Sequence, residues 1–158
     1  MEVLKIAFSN LNQIAKHAEI QLKIVEGDSA LADLQGFLLG AENLRANAIE
    51  AGILECFDFV EIDKAETTLI DEMKVSEIST YCDEIETLKA SAGWESFQNI
   101  RREQIEEKKE FLFNKAKKGR DLVYIQGWKK AVYFIDKYFN EIKSRYEAEQ
   151  QAGLPLFE

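Results

Sequence analysis

The residues best equipped for chemistry in this chain are two pairs of adjacent carboxylates, Asp71-Glu72 and Asp83-Glu84, the lone His17, two cysteines, and a run of cations at Lys115, Lys117, Lys118 and Arg120. Paired carboxylates can divide the work of general acid and base, or hold magnesium. Consecutive positions on a helix point away from each other, so each pair reads as two solvated acids rather than one site. His17 lacks the glutamate three positions earlier that a di-iron helical bundle requires, because Ile14 stands there. The sequence holds no His-Glu-x-x-His, no Gly-x-Ser-x-Gly and no phosphate-cradling glycine loop. Cys56 and Cys82 are far apart with no second pair, which suggests neither a disulfide framework nor a zinc site; both are expected to be reduced and buried. The four cations have no aromatics between them, and compensation at a helix C-terminus accounts for them without a phosphate ligand. The residues therefore point to no enzyme, with no catalytic residue, no cofactor-binding residue and no metal ligand to name.

Composition leads the same way. A chain of 158 residues, 46% hydrophobic and 31% charged, is long enough for one domain with a real core. Its net charge of −9 argues against direct nucleic-acid binding, which rests on cations neutralising phosphates. The charge is uneven: residues 1–60 carry nine acids against four bases, residues 61–92 nine against three, and residues 93–158 eleven against thirteen. An acidic front and a mildly basic back can attract each other within one chain or between neighbours in an assembly. No stretch approaches the roughly 18 apolar residues of a membrane span, and no basic leader precedes an apolar run, so the expected setting is a host cytoplasm or a virion, neither secreted nor in a membrane.

The elements that would position any site are helical. Residues 121–150 place Ile125, Trp128, Val132, Ile135, Phe139, Ile142 and Tyr146 in alternating steps of three and four, one stripe along a single long helix. Residues 2–25 carry a similar stripe of Leu4, Phe8, Leu11, Ala15, Ala18, Leu22 and Val25, widened by Ile6, Ile14, Ile20 and Ile24. Gly27 suits the position after that helix, and Asp28 can cap the next one over about 29–51. There Leu31, Leu34, Leu38, Ala41, Leu44 and Ala48 form the apolar face. Gly36 and Gly40 lie on a neighbouring line and suggest either a close backbone approach, to the first helix or a second subunit, or a kink.

Gly52 ends the second helix. The apolar run Ile53–Ile62 has the β-branched content of a short strand but no second strand to pair with, so an irregular or one-turn helical connector with its Phe residues in the core is favoured. Asp63 with Glu66 matches an acidic capping box, opening a long acidic helix to about residue 92, with a bend or break near Lys74-Val75-Ser76. A helix over about 94–117 follows, with Trp94, Phe97, Ile100, Ile105, Phe111, Leu112 and Ala116 inside. Lys117, Lys118, Gly119 and Asp121 supply the turn into the last helix. The expected organisation is all-α, an elongated bundle of about five helices: residues 1–92 as a helical hairpin plus the acidic helix, 93–150 as a C-terminal helical hairpin, and 151–158 as an extended tail.

Two resemblances add to this. The segment GWESFQNIRREQIEEKKEFLF, a glycine turn and then DLVYIQGWKKAVYFIDKYFNEI resemble small helical-hairpin proteins encoded among the head and packaging genes of tailed bacteriophages. These open with Trp and carry a Gln-Gly step early in the second helix, the positions of Trp94 and Gln126-Gly127 here. That resemblance covers residues 94–146 and implies a virion or assembly role with no catalytic residues. The tail Gln151-Ala152-Gly153-Leu154-Pro155-Leu156-Phe157 resembles the short peptides by which bacterial replication and repair proteins bind the sliding clamp, in which glutamine is followed three residues later by leucine and then by a terminal hydrophobic pair. Ala152 and Gly153 depart from the residues commoner there.

The expectation is a structural or assembly protein of a tailed phage that contacts itself and other virion proteins. An adaptor docked on a sliding clamp through its tail is the alternative, as is an acidic inhibitor that mimics nucleic acid. Trp128, Tyr133, Phe134, Tyr138 and Phe139 put aromatics on more than one face of the last helix; of these Trp128, Phe134, Tyr138 and Phe139 are the expected interface, joined by Gln151, Leu154, Leu156 and Phe157.

Overall fold

The computed structural model describes residues 1–114 and 119–153. The described residues are all-α, with no strand, in seven helices: α1 (Glu2–Leu22), α2 (Asp28–Glu50), α3 (Asp58–Ile62), α4 (Val75–Lys89), α5 (Ala92–Asn114), α6 (Gly119–Val132) and α7 (Phe134–Ala152). A single 3-10 turn at Ile70–Glu72 interrupts the connection from α3 to α4. The count exceeds five because the run at 53–62 contains the short α3 and because the long C-terminal helix is broken once.

On α1 the heptad stripe works as its spacing dictates: Leu4, Phe8, Leu11 and Ala18 are buried, with Val3 and Ala7 beside them. Its first amides, those of Glu2 and Val3, donate to Glu84 Oε1 of α4 at 2.8 and 3.4 Å, which puts a carboxylate at the positive end of the helix. The helix stops at Leu22, before Val25. Gly27, at φ 100°, occupies the N-cap of α2, so Asp28 is the first helical residue and not the cap expected of it. Gly52, at φ 75°, closes α2 in the left-handed region that favours glycine.

The face of α2 that is buried is its small-residue line, Ala32, Gly36 and Gly40, continuing into Leu44, Asn47 and Ala48. Leu31, Leu34 and Leu38 of the expected apolar face are only half-buried. The glycines do mark a close backbone approach, and the partner is α6 of the same chain. A Cβ on Gly36 would lie 1.8 Å from the Tyr124 carbonyl oxygen, and one on Gly40 would lie 2.5 Å from that of Trp128. Gly127 answers from α6, where a Cβ would meet the Asp33 carbonyl oxygen at 2.1 Å. Small residues on both helices let the backbones touch, and among the described residues this is the most extensive helix contact.

Asp63 opens no helix. Its carboxylate is turned to Arg45 through bonds of 2.8 and 3.0 Å and to Asn12 at 3.2 Å, not to the amides ahead of it. Helix resumes only at Val75, where the apolar phase slips and the Lys74 amide donates to Glu77 Oε1 at 3.2 Å.

The stripe of the last helix is almost wholly buried, from Ile125 and Trp128 to Phe139 and Ile142, with Tyr146 packed at its edge. The helix nevertheless breaks at Tyr133, whose φ of −97° and ψ of 1° lie outside the helical well. Neither proline nor glycine causes this. Arg101 of α5, buried at the junction, donates to the Val132 carbonyl at 3.1 Å and pairs with Asp136, entering the ladder where an unbroken helix would bond to itself. Around this point α5 runs opposite to its successors: Trp94 meets Phe139, Arg101 meets Val132 and Asp136, and Lys108 lies over the Trp128 ring. Residues on both sides of position 92 share one core.

Candidate functional site

The aromatics expected at an interface are used inside the chain. Trp128 is 0% exposed, and its Nε1 donates to Asn43 Oδ1 at 3.0 Å. Phe139 is buried with its ring 5.9 Å from that of Trp94. Tyr138 is buried too; its hydroxyl donates to the Thr68 carbonyl at 3.1 Å, and burial pushes its pKa up to about 12. Phe134 alone of the four keeps part of its surface, stacked on Tyr138 at 6.2 Å. One partner helix could not cover aromatics on several faces, but in the fold α2 and α5 pack on α6, and α1 and α4 on α7. Gln151 is exposed in the last turn of α7. Leu154, Leu156 and Phe157 lie outside the described residues, as do Lys115, Ala116, Lys117 and Lys118.

The titratable groups do not converge. Among the described residues no three His, Cys, Asp or Glu side chains are placed to share a metal ion. Asp71 and Glu72 stand exposed on the 3-10 turn, while Asp83 points outward from α4 and Glu84 caps α1. Cys56 is exposed, contrary to its expected burial, because the connector before α3 runs at the surface; Cys82 is half-buried, and burial, with Asp83 and Glu86 nearby, pushes its thiol pKa up.

What the structure does build with polar side chains is a fastening for residues 63–73, and sequence reading missed it by assigning that stretch to a helix. Asn10 donates to the Thr68 carbonyl and accepts from the Thr68 amide, both at 2.8 Å. Gln13 donates to the Ala65 carbonyl at 2.7 Å and Lys16 to that of Asp63 at 2.7 Å. From α7, Tyr138 reaches Thr68, and Arg145 reaches the Ile70 carbonyl and, at 2.8 Å, that of Met73. Side chains thus satisfy backbone groups that a helix would have satisfied for itself. The signal available was the set Asn10, Gln13 and Lys16, polar residues spaced three apart along one flank of α1.

Fastened this way, the segment forms one wall of an open groove of about 560 Å³ against α1 and α7. Its apolar lining is Ile14, Leu69, Ile70 and Phe134, with Asp71, Glu141 and Arg145 as its charged members. Leu69 is 53% exposed and Ile14 43%. Further along α1 Ile20 is exposed at 61%, and Ile24, just past the end of that helix, at 75%. What the groove offers is apolar surface among polar and charged side chains of both signs, the chemistry of recognition. No helix among the described residues is long and apolar enough to cross a membrane. Comparison of the chain with protein-family models, characterised proteins and solved structures finds no match.

Proposed function

We propose that this chain is a non-enzymatic structural or assembly protein of a tailed-bacteriophage virion, working in the host cytoplasm or the particle through helix-mediated contacts with itself and with other virion proteins. The observation that carries the reading is the open apolar groove among Ile14, Leu69, Ile70 and Phe134, apolar surface that the chain's own core leaves uncovered. The resemblance of residues 94–146 supports it. The residues that carry the resemblance are packing residues here: Trp94 sits between Phe97 and Phe139, and Gly127 lets α6 touch α2. On this reading α5, α6 and the start of α7 are the C-terminal helical hairpin of such proteins. Size-exclusion chromatography with light scattering at rising concentration tests it. Association beyond the monomer is the expected result, and a strict monomer at every concentration would sink the proposal.

A second reading, an adaptor for a sliding clamp, is favoured by one observation. Gln151 is exposed where α7 ends, and Gly153 closes the helix, so the glutamine of the tail motif lies at a helix terminus open to a partner. Capture of the intact protein by an immobilised clamp, lost in the Gln151→Ala variant, is its expected signature, and absence of capture ends it.

A further inference from the structure

In the groove between α1, the 63–73 segment and α7, Glu141 and Arg145 stand one helical turn apart, acid before base, the spacing at which the two ordinarily pair along a helix. Here they do not. Arg145 is turned across to the Ile70 and Met73 carbonyls and, at 3.8 Å, to Glu149. The exposed Glu141 is left with no ion pair among the described residues, and Asp71 on the facing wall has none either. The Arg145 side chain is 22% exposed, and its bonds to the carbonyls use one N–H of each terminal nitrogen, so the second N–H of each remains to donate. One lining thus holds carboxylates that lack a cation and a cation with donors to spare, and the fold keeps them from satisfying one another.

A surface that carries both halves of an ion pair is complementary to itself. Because Glu141 and Arg145 lie on one side of α7, a two-fold axis crossing the helix between them brings Glu141 of each copy to Arg145 of the other. The same rotation turns the two grooves face to face, where Leu69, the most exposed apolar residue of the lining at 53%, is the side chain available to fill the opposite groove. We infer that this groove is a two-fold interface: a second copy of the chain docks on it with the same groove, Leu69 of each entering the other's apolar floor and Glu141 of each meeting the other's Arg145. The inference rests on the self-association reading above and gives it a surface and a symmetry. An exposed ion pair contributes little by itself, so the apolar floor carries the affinity and the reciprocal pairs set the register. Such a contact is isologous and closes at two copies.

Full-length variants test it, each checked for native helix content by circular dichroism. Glu141→Arg, at an exposed position, sets cation against cation on both sides of the axis and is expected to lower the association constant at least about tenfold, because symmetry counts each change twice. Arg145→Glu is expected to do the same. An equimolar mixture of the two is expected to recover a dimer, since it restores both contacts, and light scattering of the wild type is expected to level off at two copies. In a Cys56→Ser background, Ser144→Cys places an exposed thiol beside the axis, and mild oxidation is expected to link two chains through it; Glu103→Cys, exposed on α5 and outside the groove, is expected to stay unlinked. The double substitution Leu156→Asp with Phe157→Asp is expected to leave association unchanged. Glu141→Arg associating as strongly as wild type, a mixture of folded single variants that stays monomeric, no link through Ser144→Cys, or wild type growing past two copies overturns the inference and leaves the assembly reading standing. Should Arg145→Glu fail to fold, Glu141→Arg and Ser144→Cys decide. Loss of association in the tail variant gives the groove to the tail and overturns the inference as well, whereas a monomeric wild type overturns both.

Discussion

Alanine at Gly36 adds one methyl group where the Tyr124 carbonyl oxygen would lie 1.8 Å and its carbon 2.8 Å from the new Cβ. Ordinary contact begins near 3.4 Å, so α2 and α6 must part by roughly 1.6 Å at this point, enough to forfeit much of the dispersion energy along the seam. The obstacle is backbone and cannot rotate aside. Overpacking of this kind costs about 1–3 kcal/mol, with the upper end appropriate here, and the helix propensity of alanine over glycine returns about 1 kcal/mol. The net loss is about 2 kcal/mol, which in a domain of this size lowers Tm by about 4–8 °C. Thermal and urea unfolding followed by circular dichroism measure it. Gly119→Ala, with nothing within 4 Å of its Cβ, serves as the control and is expected to stay within about 0.5 kcal/mol of wild type. The double variant with Gly127→Ala is expected to lose less than the sum of the singles, because helices already separated accept the second methyl more cheaply. A Gly36→Ala protein as stable as wild type, or more so, refutes the close approach of α2 to α6.

Arg101→Met leaves Asp136 without its buried partner and the Val132 carbonyl without a donor, and is expected to cost about 3 kcal/mol in urea unfolding. Arg101→Lys is expected to recover little of it, since one ammonium cannot serve Gln98, Val132 and Asp136 in the geometry of the guanidinium fork. Asn10→Ala strips both bonds from Thr68, with an expected loss of about 2 kcal/mol and faster amide exchange confined to residues 63–73. Tyr138 has its pKa raised from 10.0 to about 12, so the folded state holds this proton longer than the unfolded chain does. Its contribution to stability is complete below pH 10 and is lost as pH rises toward 12; Tyr138→Phe, compared with wild type by unfolding across that window, should lack this loss.

Helical periodicity was readable because burial of one side of a helix leaves a mark every three or four residues. That is why the Ile125–Ile142 stripe lies buried as the spacing requires, and Leu4, Phe8, Leu11 and Ala18 of the α1 stripe with it, while Ala15 and Leu22 are half-buried. Periodicity names the face and not its neighbour. Gly36 and Gly40 announced a close approach, yet α6 as the partner depends on Gly127, more than eighty residues away, and on how α2 and α6 cross. The break at Tyr133 left no local trace, since its cause is an arginine on another helix. Asp63 misled for a related reason: a carboxylate three residues before a glutamate looks the same whether it caps a helix or grips Arg45. The groove was hidden by that error, because residues assigned to a helix could not be seen as a wall.

The way that wall is held bears on its use. A connecting segment outside the α-helices would ordinarily pay an ordering cost of about 1 kcal/mol or more per residue on being clamped by a partner. Here Asn10, Gln13 and Lys16 from one side and Tyr138 and Arg145 from the other already fix its backbone, and the fixing bonds go to carbonyls and one amide that would otherwise need water. Leu69 and Ile70 are therefore presented at settled positions before any partner arrives. A purely structural connector needs its polar groups satisfied, but it gains nothing from turning Leu69 outward beside Ile14 when the core lies on the other side of the same backbone. Outward presentation on a fastened segment makes sense for a surface that is to be covered.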